Sequence, residues 1–191
     1  MANLINADPT AGLKLVSSSS SDIQIQSNGV TVCTINANGL SMNTGTLAGN
    51  GPAIRVHIGG SAQSIGNATF TKLQFNTEIF DTTSDFDTTN YRFTPSVEGY
   101  YLITVNGFIA SLANATNAIV TIYKNGSEVH RGTQVLQGGT SSALSVASGL
   151  LYMNGSTDYV EGYIYHNNGS SRNANADERY NNMTAFLARA V

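Results

Sequence analysis

Residues 100–110 read Tyr-Tyr-Leu-Ile-Thr-Val-Asn-Gly-Phe-Ile-Ala, with apolar side chains at both odd and even positions. Successive side chains of a β-strand point to opposite faces of its sheet, and a strand with one face in water normally alternates apolar with polar residues. One face carries Tyr100, Leu102 and Phe108, and the other carries Tyr101, Ile103, Val105 and Ile109. The stretch therefore predicts a strand that is covered on both faces.

Two later stretches share this pattern. Residues 159–166 and residues 183–191 also carry apolar side chains on both alternating faces. Because a two-sheet sandwich has only one interior, we expect another subunit to cover the remaining faces; the alternative is that tyrosines decorate a wet face. The residues that we predict at the subunit interface are Tyr101, Ile103, Val105, Tyr159, Tyr163 and Phe186.

Residues 53–191 have the pattern of an all-β domain. Eight candidate strands follow one another at roughly the 8–12-residue spacing that is typical of sandwiches and barrels. They are residues 53–58, 70–75, 91–94, 100–110, 118–123, 143–153, 159–166 and 183–191. The turn dipeptides are Glu98-Gly99, Asn125-Gly126, Asn154-Gly155 and Asn168-Gly169. No window has a sustained helical period, so the pattern predicts an antiparallel two-sheet jelly-roll sandwich.

Residues 1–50 contain short strands that are too thinly apolar to fold alone, since an isolated hairpin is marginal in water. The pairs Asn28-Gly29 and Asn38-Gly39 predict tight reversals between these strands. Copies from several chains would supply the missing core, so we expect a β-rich stem that attaches and trimerises the protein; a flexible arm is the alternative. The residues that we expect to form this stem are Leu13, Leu15, Ile23, Ile25, Val30 and Val32.

Residues 45–52, Gly-Thr-Leu-Ala-Gly-Asn-Gly-Pro, are the one clear linker in the sequence. Glycine and proline interrupt regular structure, and this stretch holds three glycines and a proline. We therefore expect two domains, the N-terminal stem at residues 1–50 and the jelly-roll head at residues 51–191.

The composition excludes several classes of function. Charged residues make up 11% of the chain, against roughly 25% in ordinary soluble domains, and a net charge of −3 disfavours nucleic-acid binding. The single cysteine, Cys33, excludes an intrachain disulfide and a cysteine-based metal cluster. We see no signal-peptide pattern and no stretch approaching ~18 apolar residues, so we expect synthesis in a cytoplasm and no membrane partner.

The sequence offers little catalytic chemistry. The three histidines have no metal-ligand spacing, and no Gly-x-Ser-x-Gly motif is present. The densest acids are Asp81, Asp85 and Asp87, which lack the glycine and the terminal glutamate of a calcium-binding hand. We expect a non-enzymatic protein without a cofactor, and we retain these three aspartates as weak candidates for a surface Ca²⁺ site.

The segment Tyr91-Arg92-Phe93-Thr94-Pro95-Ser96-Val97-Glu98-Gly99-Tyr100-Tyr101-Leu102 resembles the central motif of the complement/tumour-necrosis-factor jelly-roll superfamily. Residues 75–81, the stretch Ile122-Tyr123-Lys124-Asn125-Gly126 and the ending Met183-Thr184-Ala185-Phe186-Leu187 resemble further parts of that superfamily. The resemblance spans residues 53–191 and implies ten short strands in two sheets and a homotrimer. Some relatives bind Ca²⁺ near the trimer apex.

The N-terminal block is similar to the openings of phage tail-fibre and head-fibre proteins. The similar residues are Ala7-Asp8, Gly12-Leu13-Lys14-Leu15-Val16-Ser17 and Ser27-Asn28-Gly29. This resemblance implies a virion protein of a tailed phage, attached to the major capsid protein or another virion protein. A stem of about 50 residues leaves little room for a tail-fibre shaft, which favours a capsid decoration, or cement, protein. The alternative is a receptor-binding tail-fibre tip that recognises a bacterial surface glycan.

Overall fold

The computed structural model describes residues 23–27, 30–36, 39–42 and 51–191, and within these ranges all regular structure is β. The chain divides into two compact units, Met1–Asn50 and Gly51–Val191. No helix in the described ranges is long and apolar enough to cross a membrane.

The N-terminal unit contains a three-stranded antiparallel sheet in the order β1-β2-β3. Its strands are β1 (Ile23–Ser27), β2 (Val30–Asn36) and β3 (Gly39–Met42). Ser27 lies opposite Val30, and Asn36 lies opposite Gly39, so consecutive strands pair antiparallel. Of the predicted turn residues, Asn28, Gly29 and Asn38 lie outside the described residues, and Gly39 begins β3. Leu13 and Leu15 lie outside the described residues.

The C-terminal unit contains a five-stranded antiparallel sheet in the order β13-β10-β16-β4-β7. Its strands are β4 (Ala53–His57), β7 (Thr77–Asp81), β10 (Glu98–Leu112), β13 (Ser141–Asn154) and β16 (Asn182–Ala190). Strand β10 is the longest at 15 residues and pairs with β13 on one side and β16 on the other.

A six-stranded sheet faces the first one. The order β12-β11-β14-β9-β8 forms its main path, and β6 pairs with β14 as well. Its strands are β6 (Thr71–Lys72), β8 (Phe86–Asp87), β9 (Arg92–Phe93), β11 (Asn117–Lys124), β12 (Ser127–Leu136) and β14 (Val160–His166). A separate two-stranded ladder joins β5 (Gln63–Ile65) to β15 (Arg172–Ala174).

One hydrophobic core lies between the two large sheets. From the five-stranded sheet it takes Ile54, Val56, Tyr101, Ile103, Val105, Ile109, Met153 and Met183. From the six-stranded sheet it takes Phe86, Phe93, Ala118, Val120, Ile122, Val160 and Ile164. The head is therefore the predicted all-β two-sheet sandwich, with core residues at alternate positions of each strand.

The structure corrects some local predictions. The turn at Asn125-Gly126 is confirmed, since its residues have φ of 52° and 78°, as a two-residue hairpin loop with both central residues at positive φ requires. The prediction of a turn at Glu98-Gly99 was wrong, because these two residues are the first two of β10. A Cβ on Gly99 would meet the Arg189 carbonyl oxygen at 2.4 Å, so glycine serves close strand packing there.

The two sheets meet along one edge through Gly132 of β12. A Cβ at this position would lie 2.1 Å from the Val146 carbonyl oxygen of β13, and a backbone atom cannot move aside cheaply. Nearby, the Ser145 hydroxyl accepts from the Val120 N–H at 3.0 Å and donates to the Thr133 carbonyl. This edge therefore depends on a residue without a side chain.

We expect Gly132→Ala to lower the free energy of unfolding by about 1–3 kcal/mol, the usual effect of overpacking. Gly138→Ala is the matched control, because a Cβ there meets nothing within 4 Å. Urea unfolding of both variants measures the difference. Equal stability of the two would contradict the close packing of this edge.

His166 is fully buried on the inner face of β14. Its Nδ1 accepts from the Asn168 N–H at 3.2 Å, which leaves Nε2 to donate to the Ile65 carbonyl, also at 3.2 Å. Both nitrogens are satisfied in the neutral ring, whereas a proton on Nδ1 would face another N–H. Burial is the main cause that lowers the pKa of His166.

A lowered pKa means that the unfolded chain binds this proton more tightly than the folded one. The contribution of neutral His166 to the free energy of unfolding is therefore fully present above the pKa of histidine in the unfolded chain, about 6.5, and it is lost as the pH falls below that value. We expect the thermal unfolding midpoint to fall between about pH 7.5 and pH 5.5, and His166→Gln to remove much of that fall. The variants His57→Gln and His130→Gln should retain it; a pH response unchanged in His166→Gln would rule out this origin.

Candidate subunit interface

The outward face of the five-stranded sheet carries a continuous group of apolar side chains. The register places Tyr100 beside Tyr152, and Leu102 between Leu150 and Phe186. Residues directly opposite each other in an antiparallel pair point to the same face, so these five side chains form one surface. We call it the apolar patch.

The apolar patch is exposed in the single chain. Its five side chains are between 36% and 58% exposed, and Leu144 at the other end of β13 is 47% exposed. Contiguous apolar surface of this kind is uncommon on monomeric soluble proteins and marks sites of association. The patch is therefore the surface that fits a subunit interface.

Polar residues occupy the middle of the same face. The Thr104 and Ser148 hydroxyls are 2.8 Å apart, and the Asn106 amide donates to the Asn182 side-chain oxygen at 2.9 Å. These hydrogen bonds pair part of the polar surface within the chain, which lowers the desolvation cost of covering this face.

Three of the predicted interface residues lie elsewhere. Tyr101, Ile103 and Val105 are fully buried in the core of their own chain, so their assignment to the interface was wrong. The pleat of β10 turns them inward, and their neighbours Tyr100 and Leu102 face outward. The Tyr101 hydroxyl donates to the Val97 carbonyl at 2.7 Å, and burial, followed by the charge of Asp85, raises its pKa to about 12.

Tyr159 and Tyr163 lie on the outward face of the other sheet, so they cannot share a patch with Phe186. The Tyr163 ring stacks on Tyr123 with centroids 4.0 Å apart, and Phe70 packs on Tyr165 at 5.0 Å. Side chains of the same chain therefore cover much of this face. Only Phe186 among the six predicted residues belongs to the apolar patch.

The aspartates considered for calcium hold their own loop together. The Asp81 carboxylate accepts from the backbone N–H groups of Thr83 and Phe86, and the Asp85 carboxylate accepts from Ser96. Asp87 accepts from Asn90, which is the main cause that lowers its pKa. No group of three metal-ligating side chains occurs in the described ranges. Calcium binding here stays an untested prediction.

Four of the six predicted stem residues lie in the small N-terminal sheet. Ile23 lies opposite Ile35, and Ile25 lies opposite Cys33, whose side chain is buried. Val30 and Val32 belong to β2. Their role in attachment stays a prediction.

The fold has known counterparts among solved structures. The globular domain of zebrafish complement 1qA protein matches with a TM-score of 0.56 at 15% identity, covering 73% of this chain and 99% of that one. Murine APRIL at pH 5.0 matches with a TM-score of 0.54 at 8% identity, covering 72% and 98%. Eiger TNF from S. frugiperda matches at 0.50 and 8% identity, covering 74% and 94%.

No protein-family model matches this sequence, and no curated protein matches it significantly. The structural likenesses cover the head and confirm the complement/tumour-necrosis-factor jelly-roll fold that the sequence resemblance implied. At these identities they show the fold alone.

We expect Leu150→Asp to dissociate the oligomer, because association through the patch would bury an unpaired carboxylate at a cost of several kcal/mol. Leu150 is 58% exposed, so the single chain should still fold. Val129→Asp is the matched control, since Val129 is 44% exposed on β12 of the other sheet. Light scattering should give three times 20.1 kDa for the parent and the control, and 20.1 kDa for Leu150→Asp. Dissociation by Val129→Asp alone would place the interface elsewhere.

Proposed function

We propose that this protein is a non-enzymatic, homotrimeric surface protein of a phage virion, and that it decorates the capsid. The main observation that supports a homotrimer is the apolar patch on β10, β13 and β16. A jelly roll of this type needs no second domain to cover that face, because two further copies of the same chain can do so around a three-fold axis.

The charged residues of the head support a structural role. Four of its cations form ion pairs with acids of the same chain, within 2.7–2.9 Å. Catalytic sites gather titratable side chains with perturbed pKa values in a cleft. The carboxylates of Asp81 and Asp85 instead accept hydrogen bonds within their own loop, and four other acids form the ion pairs. A binding or structural role suits this arrangement.

The virion location rests on the N-terminal sequence and its separate unit. Residues 7–17 are similar to the openings of phage fibre proteins, and β1, β2 and β3 form their own small sheet. We therefore assign residues 1–50 to attachment and residues 51–191 to display on the capsid surface.

Cryo-electron microscopy of the virion tests this assignment. We expect trimeric density on the capsid when the full chain is present, and loss of that density when residues 1–50 are deleted. The core of the head lies entirely within residues 51–191, so the deleted form should remain folded and trimeric by light scattering. Density at the tail tip would support the tail-fibre alternative and overturn the capsid assignment. Full attachment by the deleted form would overturn the role of the stem.

A further inference from the structure

The outward face of the six-stranded sheet carries five aromatic side chains. Phe70, Tyr123, Tyr159, Tyr163 and Tyr165 lie on this surface, which we call the aromatic face. Tyr123 stacks on Tyr163, and Phe70 lies 5.0 Å from Tyr165 and 6.5 Å from Tyr123 between ring centroids. All five side chains are partly exposed, so a ligand in solution can contact these rings.

Hydrogen-bonding groups are interspersed among these rings. The hydroxyls of Tyr123, Tyr159 and Tyr165 make no hydrogen bond within the described part of the chain. The Glu161 carboxylate lies beneath the rings at 5% exposure, where it pairs with Lys72 at 2.9 Å and accepts from the Tyr163 hydroxyl at 3.3 Å. A ligand on this face therefore meets both ring surfaces and polar groups.

Thr121 adds a buried polar group that lacks a partner. It is fully buried at the centre of this face, opposite Tyr163 on β14 and Arg131 on β12, and its hydroxyl has no hydrogen-bond partner. Leaving a buried hydroxyl unsatisfied costs about 1–3 kcal/mol. A ligand hydroxyl recovers that cost only when the rings around Thr121 separate, because its side chain is fully buried in the free chain.

Arg92 supplies a cation that has no ion-pair partner in the described ranges. Its guanidinium lies 4.8 Å from the centre of the Tyr159 ring. Asp87 lies opposite Arg92 in the strand register, but its carboxylate accepts from Asn90 and Thr89. By contrast, Arg131 of the same face is paired with Glu128 through two contacts of 2.7 Å. The planar donors of Arg92 are therefore available to a ligand at one end of the aromatic face, with the Asp87 carboxylate as their nearest anion along the strand register.

We propose that the aromatic face binds a carbohydrate that carries a carboxylate, as in a uronic-acid polysaccharide. The C–H faces of a sugar ring pack on aromatic rings, its hydroxyls match the phenol and threonine hydroxyls, and its carboxylate matches the planar donors of Arg92. A second copy of this chain fits the apolar patch better, because the aromatic rings are already half-covered by one another.

The proposal rests on the proposed function in one respect: a trimer formed through the apolar patch leaves the aromatic face outward on every subunit. Three copies then present three sites, and multivalency raises the affinity for a repeating polymer. Light scattering measures the trimer separately from sugar binding, so each proposal can fail while the other stands.

The experiment measures binding of the full chain to surfaces coated with polygalacturonate or with dextran, its neutral counterpart. We expect binding to polygalacturonate to be at least about tenfold tighter than to dextran, as one charge-assisted pair provides. Arg92→Gln should abolish that preference, and Tyr159→Ala should weaken binding to both polymers. Arg179→Gln is the matched control, since Arg179 also lies over a tyrosine, 5.4 Å from the Tyr180 ring, but away from the aromatic face.

Thermal unfolding and light scattering of each variant establish that it remains folded and trimeric. Equal binding to the two polymers, no binding to polygalacturonate, or unchanged preference in Arg92→Gln would each overturn the proposal. Loss of preference in Arg179→Gln would overturn it as well, because the effect would then be one of overall charge.

Discussion

The pleat of β10 is the constraint on which the rest of the head depends. Each of its side chains must point either into the sandwich or away from it, and only one direction meets the facing sheet. Tyr101, Ile103 and Val105 take the inner positions and are fully buried. Tyr100 and Leu102 are thereby committed to the outer face, where the single chain has nothing to cover them.

The apolar side chains on the two outer faces of the sandwich differ in how far other side chains of the same chain cover them. On the six-stranded sheet, aromatic rings from Phe70, Tyr123 and Tyr163 lean on one another, and cations lie over Phe70 and Tyr159. On the five-stranded sheet, aliphatic side chains such as Leu102 and Leu150 have no such cover. Full burial of an exposed leucine side chain contributes about 1.5–3 kcal/mol, and the part still exposed on Leu102 and Leu150 contributes its share when this face is covered.

Much of the fold could be predicted from sequence because the strands that build the core carry strong patterns. The predicted strands 100–110, 143–153 and 159–166 agree with the observed strands to within two residues at each end. The prediction from sequence did not include β12, Ser127–Leu136. This edge strand has few apolar residues, and both of its faces are partly exposed to solvent. The prediction also overestimated residues 70–75, where only Thr71–Lys72 pairs as a strand.

The interface residues could not be chosen from the sequence for a physical reason. When both faces of a strand are apolar, periodicity gives two equivalent sets and does not say which set faces the other sheet. For β10 the answer depends on contacts with the facing sheet, such as that of Phe93, whose ring lies 5.7 Å from Tyr101 in an edge-to-face contact. That contact joins the two sheets, and a pattern within one strand carries no information about it.

The positions of the apolar patch and the aromatic face also determine whether one molecule can be bound at both surfaces at the same time. Sheets in a sandwich pack roughly 10 Å apart, so the apolar patch and the aromatic face lie on opposite sides of the same thin domain. A partner on one side would not compete with a ligand on the other, and the core between the two faces is shared. Residues such as Val105 and Ile164 belong to that core and support both surfaces. Changes in this core should impair association and ligand binding together, whereas changes at Leu150 or Arg92 should affect one and spare the other.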